Sequence, residues 1–261
     1  MAITSLDDYI SSTKNLIQYA KVVSNTAVTA NRSSIYAVAG NPGAGVLTRS
    51  NTTSGDIITN SVAGFPSFYV SGTNVYLTRV ALTSSVASLI VVQDLLYVAG
   101  TYSFNSNVTL SSQPSIESRL VSANYSEVSM YFECVTAFTG SPTITVTYTN
   151  QSGTTGRTAS ISGASMTTPG RLVRLSLQTG DTGVQKIDSV VATVATAGTF
   201  NIHLVRDLYV GRVSTNNSVT QGSIESVGMP EIFPTSALNV VVIPDSTSTG
   251  LVQGILEVAS K

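Results

Sequence analysis

Chemistry in this chain has to begin from one histidine, His203, and one cysteine, Cys134. A His-based nucleophilic triad needs a hydroxyl or thiol beside the ring and an acid to orient it. No Gly-x-Ser-x-Gly turn occurs, and no acid is spaced for that role. His203 lies in Phe200-Asn-Ile-His-Leu-Val205 and reads as a structural strand residue. Cys134 follows Met130 and Phe132 in an apolar alternation, the setting of a small buried hydrophobe. A transition-metal site draws on several His and Cys ligands, and the chain offers one of each. Asp94, Glu117, Glu127, Glu133, Asp181 and Asp188 could supply a glycosidase-type carboxylate pair, but the 14 acids are scattered and no Trp provides a sugar platform. Gly40-Asn-Pro-Gly-Ala-Gly45 lacks the Lys-Ser/Thr of a phosphate-cradling loop and runs into Val46–Arg49, which looks like a strand rather than a helix start. The expectation is a non-enzymatic protein with no catalytic residue, cofactor or metal site.

Composition points the same way. Of 261 residues, 42% are hydrophobic, enough for real cores, whereas only 10% are charged against about 25% in average domains. A surface of Ser, Thr, Asn and Gly repels other copies weakly and tolerates contact. A net charge of −1 without a basic run argues against a nucleic-acid partner. No stretch approaches the ~20 apolar residues of a membrane helix, so no membrane partner is expected. The amino terminus has no basic flank before an apolar core and does not read as a secretory signal. A lone cysteine fits maturation in a reducing cytoplasm.

Around these residues the periodicity predicts an all-β protein. The fold expected is one or more antiparallel β-sandwiches of jelly-roll or immunoglobulin-like type, with an amino-terminal amphipathic helix. Leu6, Tyr9, Ile10, Thr13, Leu16, Ile17 and Ala20 recur at helical spacing behind a capping Ser5, with Asp7 and Asp8 in the first turn and Lys21 near the end. Residues 1–25 are therefore expected to form a helical arm. Strands are expected at 35–39, 46–49, 68–70, 75–82 and 89–98 within a β region spanning 26–112. A β-sandwich is expected over 113–212, where Ile144, Val146 and Tyr148 alternate with threonines. Residues 213–235, with Pro230 and Pro234, read as an extended loop, and 236–261 as a carboxyl-terminal hairpin packed on the β body.

Thr145-Val-Thr-Tyr-Thr-Asn-Gln-Ser-Gly-Thr-Thr-Gly-Arg-Thr158, Leu177-Gln-Thr-Gly-Asp-Thr-Gly-Val184 and Ala197-Gly-Thr-Phe-Asn201 together resemble tailed-bacteriophage virion structural proteins of the head-associated kind. The likeness extends to Ser88-Leu-Ile-Val-Val-Gln-Asp-Leu-Leu-Tyr97 and Gly228-Met-Pro-Glu-Ile232. It implies a component of the virion, assembled in the bacterial cytoplasm, and brings no catalytic residues with it. A capsid decoration or cement protein is the leading expectation. Its partners would be the major capsid protein and copies of itself, as a dimer or trimer. Contact is expected through exposed apolar residues of the helix (Tyr9, Ile10 and Leu16) and of the late loop (Met229, Ile232 and Phe233). The alternatives are a neck or tail structural protein, or a host-recognition fibre or tail-tip module. In the latter, Tyr36, Tyr69, Tyr97, Tyr102, Tyr125 and Tyr148 would stack on glycan.

Overall fold

A computed structural model describes residues 3–162, 166–193, 197–223 and 230–261. It is built almost entirely of antiparallel strands, as expected. Helix α1 spans Leu6–Ser11 and is followed by β1 (Thr13–Lys21), β2 (Arg32–Ser34), β3 (Gly40–Asn41), β4 (Asn51–Ile57), β5 (Val75–Ser84) and β6 (Ser88–Ser103). Next come β7 (Asn107–Thr109), β8 (Ser129–Thr139), β9 (Thr143–Asn150), β10 (Arg157–Ser162), β11 (Arg171–Arg174) and β12 (Val184–Thr193). The last are β13 (Ala197–Val213), β14 (Val219–Ser223), β15 (Glu231–Ile232), β16 (Leu238–Pro244) and β17 (Val252–Ser260).

The chain divides into two compact units, one of Met1–Val46, Thr59–Asp94 and Asp207–Lys261, the other of Leu47–Ile58 and Leu95–Arg206. The expected segments 26–112 and 113–212 each contribute to both. Two of the crossings fall inside β6 and β13, where composition carries no linker signature.

In the first unit β14, β5, β17, β1 and β3 lie in that order in one sheet, with β15 also paired to β5. Ile17, Tyr19, Leu77, Leu82, Leu256 and Val258 from this sheet share a core with Ile90, Val92, Val240 and Val242 of β6 and β16. The expected helical arm ends at Ser11. Ser5 caps α1 as anticipated, its Oγ accepting the Asp8 N–H at 3.1 Å, but Ser12 turns extended at φ −73° and ψ 155°. From Thr13 the chain pairs with β17 through eight residues, Thr13 opposite Ser260 to Ala20 opposite Gln253. Helical spacing had placed Leu16 and Ile17 on one stripe. In the strand they face opposite ways, Ile17 into the core and Leu16 outward. A buried backbone needs partners, and β17 provides them where six helical residues could not.

Three further expectations are corrected in this unit. Residues 35–39 form a turn, with the Val38 N–H bonded to the Ile35 carbonyl, and the strand lies at 32–34. The 213–235 loop contains β14 and β15, because β5 is long enough to pair with both. The closing hairpin is not one: β16 pairs with β2 and β6, whereas β17 lies between β5 and β1. Gly40 belongs to β3, as a strand connection rather than a phosphate loop requires. A Cβ there would sit 2.1 Å from the Ala20 carbonyl oxygen, so only glycine permits the pairing.

In the second unit β10, β9, β12 and β7 form a four-stranded sheet, while β8 pairs with β13 and β11, and β4 with β6. The expected alternation of β9 is present: Ile144, Val146 and Tyr148 point inward and the intervening threonines outward. They meet Met130, Phe132, Cys134, Phe200, Ile202 and Leu204 in a single core. The Phe132 and Phe200 rings stack at 4.3 Å between centroids. The strands expected at 46–49 and 68–70 do not form, and β4 begins at Asn51 instead.

Candidate functional site

Glu133 of β8 lies opposite Asn201 of β13 and diagonal to His203, whose Nε2 is 2.9 Å from Glu133 Oε2. The same oxygen accepts the Asn201 side-chain N–H at 2.8 Å. The Asn201 amide also donates to the Leu47 carbonyl, and its Oδ1 accepts the Thr101 hydroxyl at 3.1 Å. All three side chains are fully buried. The cluster ties strands together in the interior, where a buried carboxylate without such donors would be costly. Cys134 is also fully buried, with Sγ 3.5 Å from the Met166 carbonyl. Burial, aided by Glu133, pushes its thiol up to about 12 and keeps it protonated. Among the described residues no three His, Cys, Asp or Glu side chains gather as metal ligands would. No helix there is long and apolar enough to cross a membrane.

Side chains of the 145–158 and 177–184 segments converge on Asp181, one of the six acids considered for a carboxylate pair. Asp181 accepts the Tyr148 hydroxyl at 2.6 Å and Arg157 Nε at 2.8 Å on one oxygen, and Asn150 Nδ2 at 2.7 Å on the other. Its pKa falls to about 2, chiefly through the Arg157 hydrogen bond, with Tyr148 and Asn150 adding to it. Beside it, Gln151 Oε1 accepts the backbone N–H groups of Thr182 and Gly183. Five side chains, Asp181, Tyr148, Arg157, Asn150 and Gln151, thus staple the end of the β9–β10 hairpin to the 177–183 turn. The signal was present in the sequence as an acid, an amide and an arginine in turns of otherwise neutral residues.

Lys21 was expected near a helix end and is instead buried on the inward face of β1. Its Nζ donates to the carbonyls of Val38 at 3.0 Å and Pro42 at 2.8 Å, and lies 5.5 Å from the Tyr19 ring centre. Burial lowers its pKa to about 8. The Asn41–Gly43 turn it holds forms one wall of an open groove of about 530 Å³ along Asn15–Gln18, with Phe65, Pro66 and Ser67 opposite.

The candidate contact residues divide. Ile10 is 65% exposed and Leu16 is 61% exposed, joined by Leu6 at 68%. Leu6 and Ile10 lie one turn apart on α1, a helix without a buried residue. The Tyr9 hydroxyl donates to Glu257 Oε1 at 2.6 Å, and Glu257 is the cross-strand partner of Leu16. That bond ties α1 to the face of the sheet that bears Leu16. An ion pair from Lys261 to Asp8 holds the helix start. Tyr9 itself is anchored, its hydroxyl pushed up to about 12 by burial and by Glu257. In the late-loop group Ile232 is not exposed for contact. It is 1% exposed, paired in β15 with Val75 and absorbed into the core. Phe233 is half-buried, and Met229 lies outside the described residues. The tyrosine platform fails on burial as well: Tyr36, Tyr97, Tyr102, Tyr125 and Tyr148 are buried and Tyr69 alone of the six is exposed.

No protein-family model, curated protein or solved structure matches the chain.

Proposed function

We propose that this chain is a non-enzymatic structural component of a phage particle, a capsid decoration protein that binds the major capsid protein and stabilises the head. The observation that carries the reading is the exposure of Leu6, Ile10 and Leu16, three large apolar side chains within eleven residues, on a chain with 10% charged residues. A run of exposed large apolar side chains marks a surface suited to protein contact. A helix pinned by two polar links and burying nothing of its own is suited to covering a partner. The resemblance of 145–158 and 177–184 to virion proteins supplies the setting: assembly in the bacterial cytoplasm and residence in the virion, without nucleic acid or membrane as partner. Many modest interfaces of about 800 Å² per partner, repeated over a shell, add up through multivalency. We also infer that the second unit is a sandwich of jelly-roll or immunoglobulin-like type, supported by one core drawing on two groups of strands.

The test is survival of particles on heating and osmotic shock with and without this protein. The proposal expects particles lacking it to lose integrity at a lower temperature, and to recover when purified protein is added back. Equal survival, with no binding of the added protein to heads, overturns it.

A further inference from the structure

Among the described residues the strand β10 ends its sheet, paired with β9 alone. Proteins that stay monomeric blunt such edges with short strands, prolines, bulges or charge. Other sheet ends here carry those devices. β3 is two residues long and runs into Pro42, β7 has three residues, and the register of β4 slips between Asn51 and Asp56. β14 is short at five residues, though its pairing with β5 runs unbroken. β10 has none of them. Its six residues pair with β9 from Arg157 opposite Tyr148 to Ser162 opposite Thr143 without a shift. After Arg157, whose guanidinium is committed to Asp181, the strand reads Thr-Ala-Ser-Ile-Ser with no charge and no proline.

We propose that β10 is the self-association edge of this protein, pairing antiparallel with β10 of a second copy across a two-fold axis. In an antiparallel ladder every second residue turns its N–H and C=O away from its first partner, here toward the open side. Facing residues must be of the same parity, so the two-fold passes through a residue rather than between two. Placed at Ser160, it sets Ser160 against its own copy and Thr158 against the partner's Ser162. Arg157 is then left outside the pairing, and no like charges face each other. Thr158, Ser160 and Ser162 are exposed while Ala159 is buried, so the strand keeps its apolar side on its own core. The Ser160 and Thr145 hydroxyls already lie 2.9 Å apart across the β9–β10 pair. The dimer extends that hydroxyl ladder into the second copy, and the isologous contact closes on itself instead of propagating. This surface is independent of the capsid reading, since a dimer can form whatever the particle contact proves to be.

Sedimentation of the purified full chain over a concentration series provides the test. The wild type is expected to pass from the 27.2 kDa of one chain to twice that mass. Ser160→Lys and Ser160→Glu, each placing like charges face to face, are expected to weaken the dimer by about tenfold or more. An equimolar mixture of the two is expected to restore it, a rescue that mere misfolding would not give. Val219→Lys, on the edge strand β14, is expected to change nothing. For any charge variant that lowers the melting temperature, Ser160→Cys gives the same answer by a disulfide-linked dimer on mild oxidation, Cys134 being buried. A wild type that stays monomeric at near-millimolar concentration overturns the proposal. So does a dimer that neither charge variant weakens, or an equimolar mixture that fails to recover.

Discussion

β9 and β1 are both half-buried antiparallel strands, but one finds a partner next in sequence and the other at the far end of the chain. β9 pairs with β10, the next strand in sequence, and its turns are stapled by Asp181 and Gln151. β1 pairs with β17, the last strand, and the helix before it rests on polar links alone. A strand closed locally has its state written in its own neighbourhood. A strand closed by the far end of the chain gains its hydrogen bonds only after the loop-closure entropy has been overcome. The first region is therefore rigid by short-range design, and the second leaves apolar side chains outside because only one face of β1 is used.

Substitutions can break or sharpen that contrast. The largest effect is expected at Ile17, which is inward on β1. Ile17→Asp places a carboxylate in the core and is expected to cost about 4 kcal/mol or more, seen as failure to fold or a collapsed urea midpoint. Leu16→Lys, one residue away and opposite Glu257, is expected to stay within about 0.5 kcal/mol of wild type, as exposed positions do. Equal losses would mean that the two side chains share a face, as in a helix. Phe200→Ala removes a ring stacked on Phe132 and is expected to cost about 3–5 kcal/mol by the same measure.

Asp181→Ala is expected to cost about 1–3 kcal/mol, because Tyr148, Asn150 and Arg157 lose a shared acceptor. The pH dependence has a definite sign. The folded pKa of Asp181 is depressed to about 2, so its stabilisation is present above the ordinary value of 3.8 and is lost as pH falls through about 2. Comparing acid denaturation of wild type and Asp181→Ala should show the gap between them closing across that window. Lys21→Met gives the smallest and most specific effect. The folded lysine titrates near 8 and the unfolded one near 10.5, so between these values the unfolded chain holds more protons and wild-type stability rises with pH. Lys21→Met should lack that rise in chemical denaturation followed from pH 7.5 to 10.5.

The legibility of the sequence follows the same division. Ile144 to Tyr148 announced their strand because threonine alternates with apolar residues and the partner lies close by. The segment 6–21 satisfied both periods: Leu6, Tyr9, Ile10 and Leu16 fit a helix, while Ile17, Tyr19 and Lys21 fit a strand. The arbiter was β17, which no local window contains. For the same reason Ile232 looked like an exposed loop residue until β5 was seen to reach it. Of the candidate contact residues, Ile10 and Leu16 were legible as apolar side chains with a surface to offer, although the element assumed for Leu16 was wrong. Asp181 and Lys21 stayed hidden because their roles depend on turns brought together by pairing.

The central claim is that the outward apolar group on α1 and β1 is the particle contact. Its most direct test is the binding of purified Ile10→Asp/Leu16→Lys protein to heads stripped of the wild type, with unchanged melting as the control. The account predicts that the folded double variant fails to bind heads that the wild type saturates. Binding of the variant at wild-type strength would contradict it.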